Sequence, residues 1–471
     1  MTHFSERYAA HLDPPMGVRE AGNGTPDEDA IQRLWFSGAF QGAELATADG
    51  RPLRVISPGW WNHGGGPDFR GAQIEIAGNL RTGDVEIDLT HANWRLHGHD
   101  SNPAFNGVVL HAVWQERLPT APPTTESGAQ LPVLLLPTYA ALPEAYDTEQ
   151  DEALALRGQC AMAVAQHGPE RLLALLHLAG EWRMLEKARA LQVRMDRMGP
   201  DQALYEALLY ACGFGPFKRH FLTIAQALHY DRALQLAREN PLILEAALLT
   251  LAGLMPEPGD TDPRHLERLH DLREKHLGGL RAVQGLSWTR AGLRPINYPE
   301  RRLGGFARLL GRTSARGLYE SIAAIWREEA SPTTRRREFE ALFPSAMGFW
   351  STHCSWQGKA LPKPAAPIGA GRVRSIIGNV FVPAGLAIAR QSRDRTAEER
   401  VYAFFAKLPR EPGNKVLDAM IPRVFGESPP RRMDFRTQQG LLQMHGDWCR
   451  PNPSCQRCPV LGYWEDDRTE P

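Results

Sequence analysis

The sequence predicts an α/β module, a mainly α-helical domain after it, and a short cysteine-bearing, metal-binding tail. Three patterns carry that reading. Apolar and polar residues alternate in runs between Ala72 and Trp114, leucines recur at helical spacing from Pro169 onward, and three of six cysteines fall within the last 23 residues. The ranges that follow are an irregular segment over 1–26, the α/β module over 27–150, the helical domain over 151–435 and the tail over 436–471.

Residues 1–26 are rich in Pro and Gly and carry no helical or strand period. A first helix is expected over 27–40, with Ile31, Leu34 and Trp35 on one face and Glu28 in its first turn. A strand over 52–58 follows, then the Gly-rich stretch GWWNHGGGPDF. Next comes a β-hairpin. Ala72, Ile74 and Ile76 share a face in its first strand, a turn is expected over 78–83, and Val85, Ile87 and Leu89 alternate with Asp84, Glu86 and Asp88 in its second. Asp68 stands just before the first strand, within reach of Glu86. A short helix or turn over 93–100 carries Trp94, His97 and His99, and strands are expected over 107–115 and 131–136. This order of helix, three strands, helical turn and strand belongs to a compact α/β unit. From about Glu152 the apolar period becomes helical, with helices expected over 169–195, 201–212, 217–228, 241–254, 264–277 and 373–389. No 34- to 47-residue repeat marks a solenoid.

The acidic face of the hairpin has two readings. Alternation alone suits a solvated sheet face. Three like charges on one face repel unless water or a cation screens them, and Asp68 with Glu86 and Asp88 would suit Mg²⁺, a hard cation that takes oxygen ligands. Composition bears on the partner. Residues 1–150 carry 19 acidic side chains, nine arginines and no lysine, a balance of −10, so the remainder sums to +10 in a chain of zero net charge. An acidic module joined to a basic remainder is compatible with a polyanionic substrate, for which Arg294, Arg301 and Arg302 are candidate phosphate contacts. No run of eighteen apolar residues points to a membrane span, and the first residues lack the basic-then-apolar pattern of a secretory signal. Cysteine usage suits a reducing compartment, so a cytoplasmic location is expected.

Cys449, Cys455 and Cys458 form a C-x5-C-x2-C cluster. Thiolates at this spacing can grip Zn²⁺ or a [4Fe–4S] cluster, both of which want a fourth ligand. His445, Cys160, Cys212 and Cys354 are the candidates for it. The expected role is structural, since a tail of this size builds no core of its own. Three free thiols packed among apolar neighbours are the alternative.

The segments PLRVISPGWWNHGGGPDFRGAQIEI, GDVEIDLTHANWRLHGHDSNPAFNGVVLHAVW, EALLYACGFGPFKRHFLTIAQAL, LRPINYPERRLGGFARL and GLLQMHGDWCRPNPSCQRCPV together resemble the bacterial domain of unknown function 2851 family, over roughly residues 25–465. Membership implies an architecture rather than a reaction. The N-terminal module also resembles the PD-(D/E)XK nuclease core of helix, three strands, helix and strand. Pro67–Asp68 matches the PD before the second strand, Glu86 the acid of the third, and Glu28 the further acid such nucleases often carry on the first helix. Asp88 stands where the motif lysine belongs, and the first lysine of the chain is Lys187. The resemblance implies Mg²⁺-assisted phosphodiester hydrolysis of nucleic acid, with His97 or His111 standing in for the lysine as water activator. The alternative is a catalytically inactive nucleic-acid-binding or scaffold protein on the same fold. A small phosphate-ester hydrolase ranks last, because no phosphate-cradling glycine loop precedes a helix.

Overall fold

The structure is a computed structural model that describes residues 8, 28–37, 44–62, 66–115, 121–138, 158–213, 217–259, 263–290, 293–450, 455, 458 and 460. Its contacts group the chain into two compact units. One comprises the described parts of Glu6–Ala179, Asn414–Arg432 and Gly440–Pro471; the other comprises Gly180–Gly413 and Met433–Gln439. Helices from both ends of the chain thus belong to the unit that holds the sheet.

Helix α1 (Glu28–Ser37) opens the sheet unit and buries Ile31, Leu34 and Trp35, the spacing that marks it in the sequence. Its Trp35 Nε1 donates to Pro58 O at 2.9 Å. Seven strands follow: β1 (Leu45–Ala46), β2 (Pro52–Ser57), β3 (Trp60–Trp61), β4 (Phe69–Ile76), β5 (Asn79–Asp88), β6 (Val108–Val113) and β7 (Val133–Leu135). Their order is β1-β2-β4-β5-β6-β7, with β3 paired to β4. The pairings up to β4–β5 are antiparallel, whereas β5–β6 and β6–β7 are parallel. The crossover between β5 and β6 holds α2 (Asn93–Leu96) and two single-turn 3₁₀ helices.

The hairpin turn is tighter than expected. Ala77 and Gly78 take φ of +49° and +77°, so two residues reverse the chain and β5 begins at Asn79. Consecutive left-handed residues match the right-handed twist of the flanking strands, which lets Leu80 to Gly83 pair with β4 instead of looping out. The expected exposed acidic face is also corrected at its far end. Val85 and Ile87 are buried against α1 and the sheet core, and Glu86 and Asp88 are buried on the opposite face. The covering group is Trp94, Phe105, Val108 and Leu131. Of the three acids only Asp84, half-buried near the hairpin base, takes part in an exposed contact, accepting from the Gly71 N–H at 3.1 Å.

The second unit is helical. Its core joins Leu185, Leu204, Phe221, Leu244, Phe306, Ile322 and Phe381 among many others. Expected helices are found at Glu170–Met198, Pro200–Cys212, Lys218–Ala227, Pro241–Leu251 and Arg264–His276. The run Ala370–Gln391 has the length and hydropathy of a membrane span, yet 72% of its most apolar window is buried inside the protein, as a core helix would be. That run contains a π-helical turn at Ile377–Phe381. From it Asn379 meets the ammonium of Lys187, which also donates to Gln439 Oε1 at 3.0 Å, while Gln439 donates to Glu411 Oε1 at 2.8 Å.

The β5–β6 junction depends on a glycine. A Cβ at Gly83 would run into the Val109 side chain and the Gly107 carbonyl, one of them main chain that cannot move aside. Gly83→Ala is expected to cost about 1–3 kcal/mol, the usual range for overpacking, read as a lower denaturant midpoint with an unchanged slope.

Candidate metal centre

Asp68 is positioned by the loop that precedes it. The Asn62 N–H donates to Asp68 O at 2.7 Å and the Asn62 side-chain amide donates to Pro67 O at 2.8 Å. Gly59 is needed at the start of this loop, since its φ is +89° and a Cβ there would stand 2.9 Å from Arg70 O. Asp68 and Glu86 then hold each other through main-chain donors. The Asp68 N–H donates to Glu86 Oε2 at 3.0 Å, and the Ile87 N–H donates to Asp68 Oδ2 at 2.9 Å. Gln32 of α1 adds a hydrogen bond to Asp68.

Asp88, two residues further along β5 and fully buried, faces imidazoles. His111 Nε2 bonds Asp88 Oδ2 at 2.9 Å from the parallel neighbour β6, where His111 itself is fully buried. His97 Nδ1 lies 3.3 Å from Asp88 Oδ1, and His99 Nδ1 lies 3.4 Å from Glu86 Oε1. Both approaches lack hydrogen-bond alignment, so Asp88 Oδ1 and His99 Nδ1 are buried polar atoms with no hydrogen-bond partner. Such atoms cost roughly 1–3 kcal/mol each when nothing satisfies them. One ligand atom from each of Asp88, His97 and His99 falls within 4.8 Å of the other two, a spacing that suits coordination of one cation.

Aromatic packing fixes the imidazoles. The Trp94 ring centre is 5.2 Å from those of both His99 and His111, and His99 stacks on Phe105 at 4.0 Å. Trp94 is anchored in turn, its Nε1 donating to Thr124 O at 2.9 Å. Rings held this way keep their lone pairs aimed, which a metal site requires of its ligands.

The electrostatics describe acids held away from their preferred charge. Burial, with the charges of Glu28 and Asp88 adding to it, pushes the Asp68 carboxyl up to about 7 against the pull of the Ile87 N–H. Burial and the nearby Asp68 charge push Glu86 up to about 9. Glu28 is raised by burial and by Asp88. Burial lowers His99, which keeps its imidazole neutral and its lone pair available.

The ligand atoms of Asp88, His97 and His99 thus lie within 4.8 Å of one another, His111 bonds Asp88 from β6, and Asp68 and Glu86 form a separate hydrogen-bonded pair next to them, with Glu28 near enough to raise their carboxyls. Gln32 escapes sequence reasoning, although it stands one helical turn after Glu28 on α1. The phosphate role expected of Arg301 and Arg302 is corrected. Arg301 is fully buried in the helical unit and donates to the carbonyl oxygens of Trp350, His353, Ala365 and Ala366. Arg302 donates to Cys212 O at 2.9 Å and to Asn297 Oδ1 at 2.6 Å, also buried. Both guanidiniums are drawn inward because they satisfy main-chain oxygens left open by irregular segments. Arg294 is exposed. Cys449 and Cys455 are buried and Cys458 is half-buried; the turn residues Pro451, Asn452 and Pro453 lie outside the described residues. His445 stacks on Trp60 at 6.0 Å.

The family model described as "Protein of unknown function (DUF2851)" matches residues 28–414, most of the chain, and the protein belongs to that family. No curated protein and no solved structure matches it.

The raised carboxyls give a signed pH dependence. Their folded-state values lie above the ordinary carboxylate range, so the fold binds more protons than the unfolded chain between about pH 4 and their own titration. Metal-free stability is therefore greatest near or below pH 4 on their account and is lost as pH rises through about 7 for Asp68 and about 9 for Glu86. Thermal melts in chelator are expected to show a midpoint falling from pH 5 to pH 9. Mn²⁺ or Mg²⁺ at about 100 times its dissociation constant should restore about 2.7 kcal/mol, and a fixed metal concentration should stabilise more at high pH, where protons compete less. Glu86→Gln should raise the metal-free midpoint at pH 8.5 and abolish the metal response.

Proposed function

We propose that this member of the DUF2851 family is a divalent-metal-dependent hydrolase of phosphodiester bonds in nucleic acid, with its reaction centre at Asp68, Glu86 and Asp88. The observation that carries the reading is the mutual lock of Asp68 and Glu86, acids eighteen positions apart, beside a buried Asp88 oxygen that has no donor. The chain order supports it as well. α1, the antiparallel strands β2, β4 and β5, the α2 crossover and the parallel strand β6 follow the succession of a PD-(D/E)XK core, with Pro67–Asp68 ahead of β4 and Glu86 on β5.

Asp68, Glu86 and Asp88 are the residues that would hold the cation, Mg²⁺ or Mn²⁺, and the His97 and His99 nitrogens would widen the choice toward softer metals. Once bound, such an ion polarises a phosphoryl oxygen and lowers the pKa of a coordinated water. His111 orients Asp88 from behind and is too buried to meet substrate. His97 has a side chain 44% exposed next to Asp88, so it can reach both the acid and solvent. It is the group placed to take the proton of an attacking water where the motif lysine is missing. Asp68 and Glu86, held by main-chain donors, resist displacement when a phosphate diester enters.

A second reading has an observation of its own. Asp88 occupies the lysine position and no lysine precedes Lys187, which suits a protein that binds nucleic acid without cutting it. Purified protein with Mg²⁺, Mn²⁺ or Zn²⁺ and supercoiled or single-stranded DNA separates the two. On the hydrolytic reading, wild type nicks the substrate, Asp68→Ala and Glu86→Ala lose at least about 100-fold, and His97→Ala loses roughly 100-fold with metal binding retained. Salt-dependent binding with no cleavage under any of the metals favours the second reading and removes the first.

A further inference from the structure

We infer that Cys160 joins Cys449, Cys455 and Cys458 in a four-thiolate metal centre, which would hold Zn²⁺ or a [4Fe–4S] cluster. All four belong to the sheet unit, whereas Cys212 and Cys354, the other two candidates for a fourth sulfur, belong to the helical one. Cys160 sits in the first turn of helix Gln159–His167, which packs against helix Lys415–Phe425. The junction between the two is pinned by the Gly158 N–H, which donates to Arg423 O at 3.0 Å. Gly158 also borders the sulfur of Cys455: a Cβ at Gly158 would stand 3.5 Å from Cys455 Sγ. The start of the Cys160 helix and the tail thiols are therefore neighbours in space across about 300 residues of chain.

The tail thiols sit on constrained backbone and face N–H donors. Cys455 takes φ of +59°, a left-handed conformation that residues other than glycine adopt at a cost, and the Cys458 N–H folds back to Cys455 O at 3.2 Å. That closes the C-x2-C pair into a single turn. Each tail sulfur has an N–H donor. Arg423 donates to Cys455 Sγ at 3.0 Å and also to Cys449, and the Val460 N–H donates to Cys458. Donors of this kind stabilise sulfur that carries negative charge. Arg423 is itself buried, and four thiolates around Zn²⁺ or a [4Fe–4S]²⁺ core leave a net charge of −2, of the sign a guanidinium beside them balances.

The Cys160 thiol is itself buried and lies within electrostatic reach of Cys449, Cys458 and Cys455. His445, the nitrogen alternative, is turned onto Trp60.

The test uses the full-length protein purified without oxygen from cells supplied with iron and zinc. Metal and acid-labile sulfide analysis should find either about one zinc ion or about four irons with four sulfides per chain, the cluster adding a broad visible absorption. Cys160→Ser should lose metal as completely as Cys449→Ser, Cys455→Ser or Cys458→Ser, while Cys212→Ser retains it. X-ray absorption on the wild type avoids any folding defect in the variants and should show four sulfur ligands to each zinc ion or, for a cluster, no nitrogen or oxygen ligand to iron. Metal retained in Cys160→Ser, three sulfurs with one nitrogen or oxygen at zinc, or a wild type free of zinc and iron after reconstitution with either metal would each overturn the assignment. None of these readouts depends on DNA cleavage.

Discussion

The reciprocal pair of hydrogen bonds between Asp68 and the Glu86–Ile87 segment is the constraint around which the sheet unit is arranged. Each carboxylate accepts from a main-chain N–H beside the other, so the start of β4 is fastened to the middle of β5 independently of the regular ladder. The ladder needs the help. Its register slips between Phe69 and Ala72, and without a second tie the Gly-rich approach to β4 would leave Asp68 free to swing. The acids thereby serve as a clasp, and their burial follows from that role.

Burial has an electrostatic consequence. Packing Val85 and Ile87 on one face and Trp94 with Phe105 on the other leaves Glu86 and Asp88 between two apolar layers. For Glu86 burial favours the protonated carboxyl. The imidazoles of His97, His99 and His111 and the main-chain donors of β5 soften the penalty without cancelling it, because Asp88 Oδ1 and His99 Nδ1 still lack partners.

Much of this was legible in the sequence, and the failures have physical causes. Period-two alternation located β4, β5 and β6 because side chains on a strand alternate whatever the tertiary context. The eighteen-residue gap between Asp68 and Glu86 was readable as one hairpin, since the apolar period resumes on both sides of Ala77–Gly78. Depth was not readable. Alternation says which residues share a face but not what covers it, and the cover here comes from Trp94 and Phe105 in irregular turns that have no period. Arg301 and Arg302 misled for a related reason. A cluster of arginines looks like a surface patch until one knows that carbonyls of Trp350, His353 and Ala365 face the helix interior with nothing else to bond. The cysteine tail announced three sulfurs through their spacing, whereas in the sequence Cys160 stands level with Cys212 and Cys354, and only the fold puts it in the unit that holds the tail.

The widened turn at Ile377–Phe381 imposes a counting rule on the helical unit. Each residue of a regular helix advances about 100°, so a turn carrying an extra residue re-phases everything that follows it. The buried side of Val382–Gln391 is aligned with that of Ala370–Ile376 only because the bulge intervenes. Losing a single residue there would swing the downstream apolar stripe outward and withdraw Asn379 from Lys187. The length of this interior segment is therefore fixed, whereas a surface loop absorbs an added or lost residue.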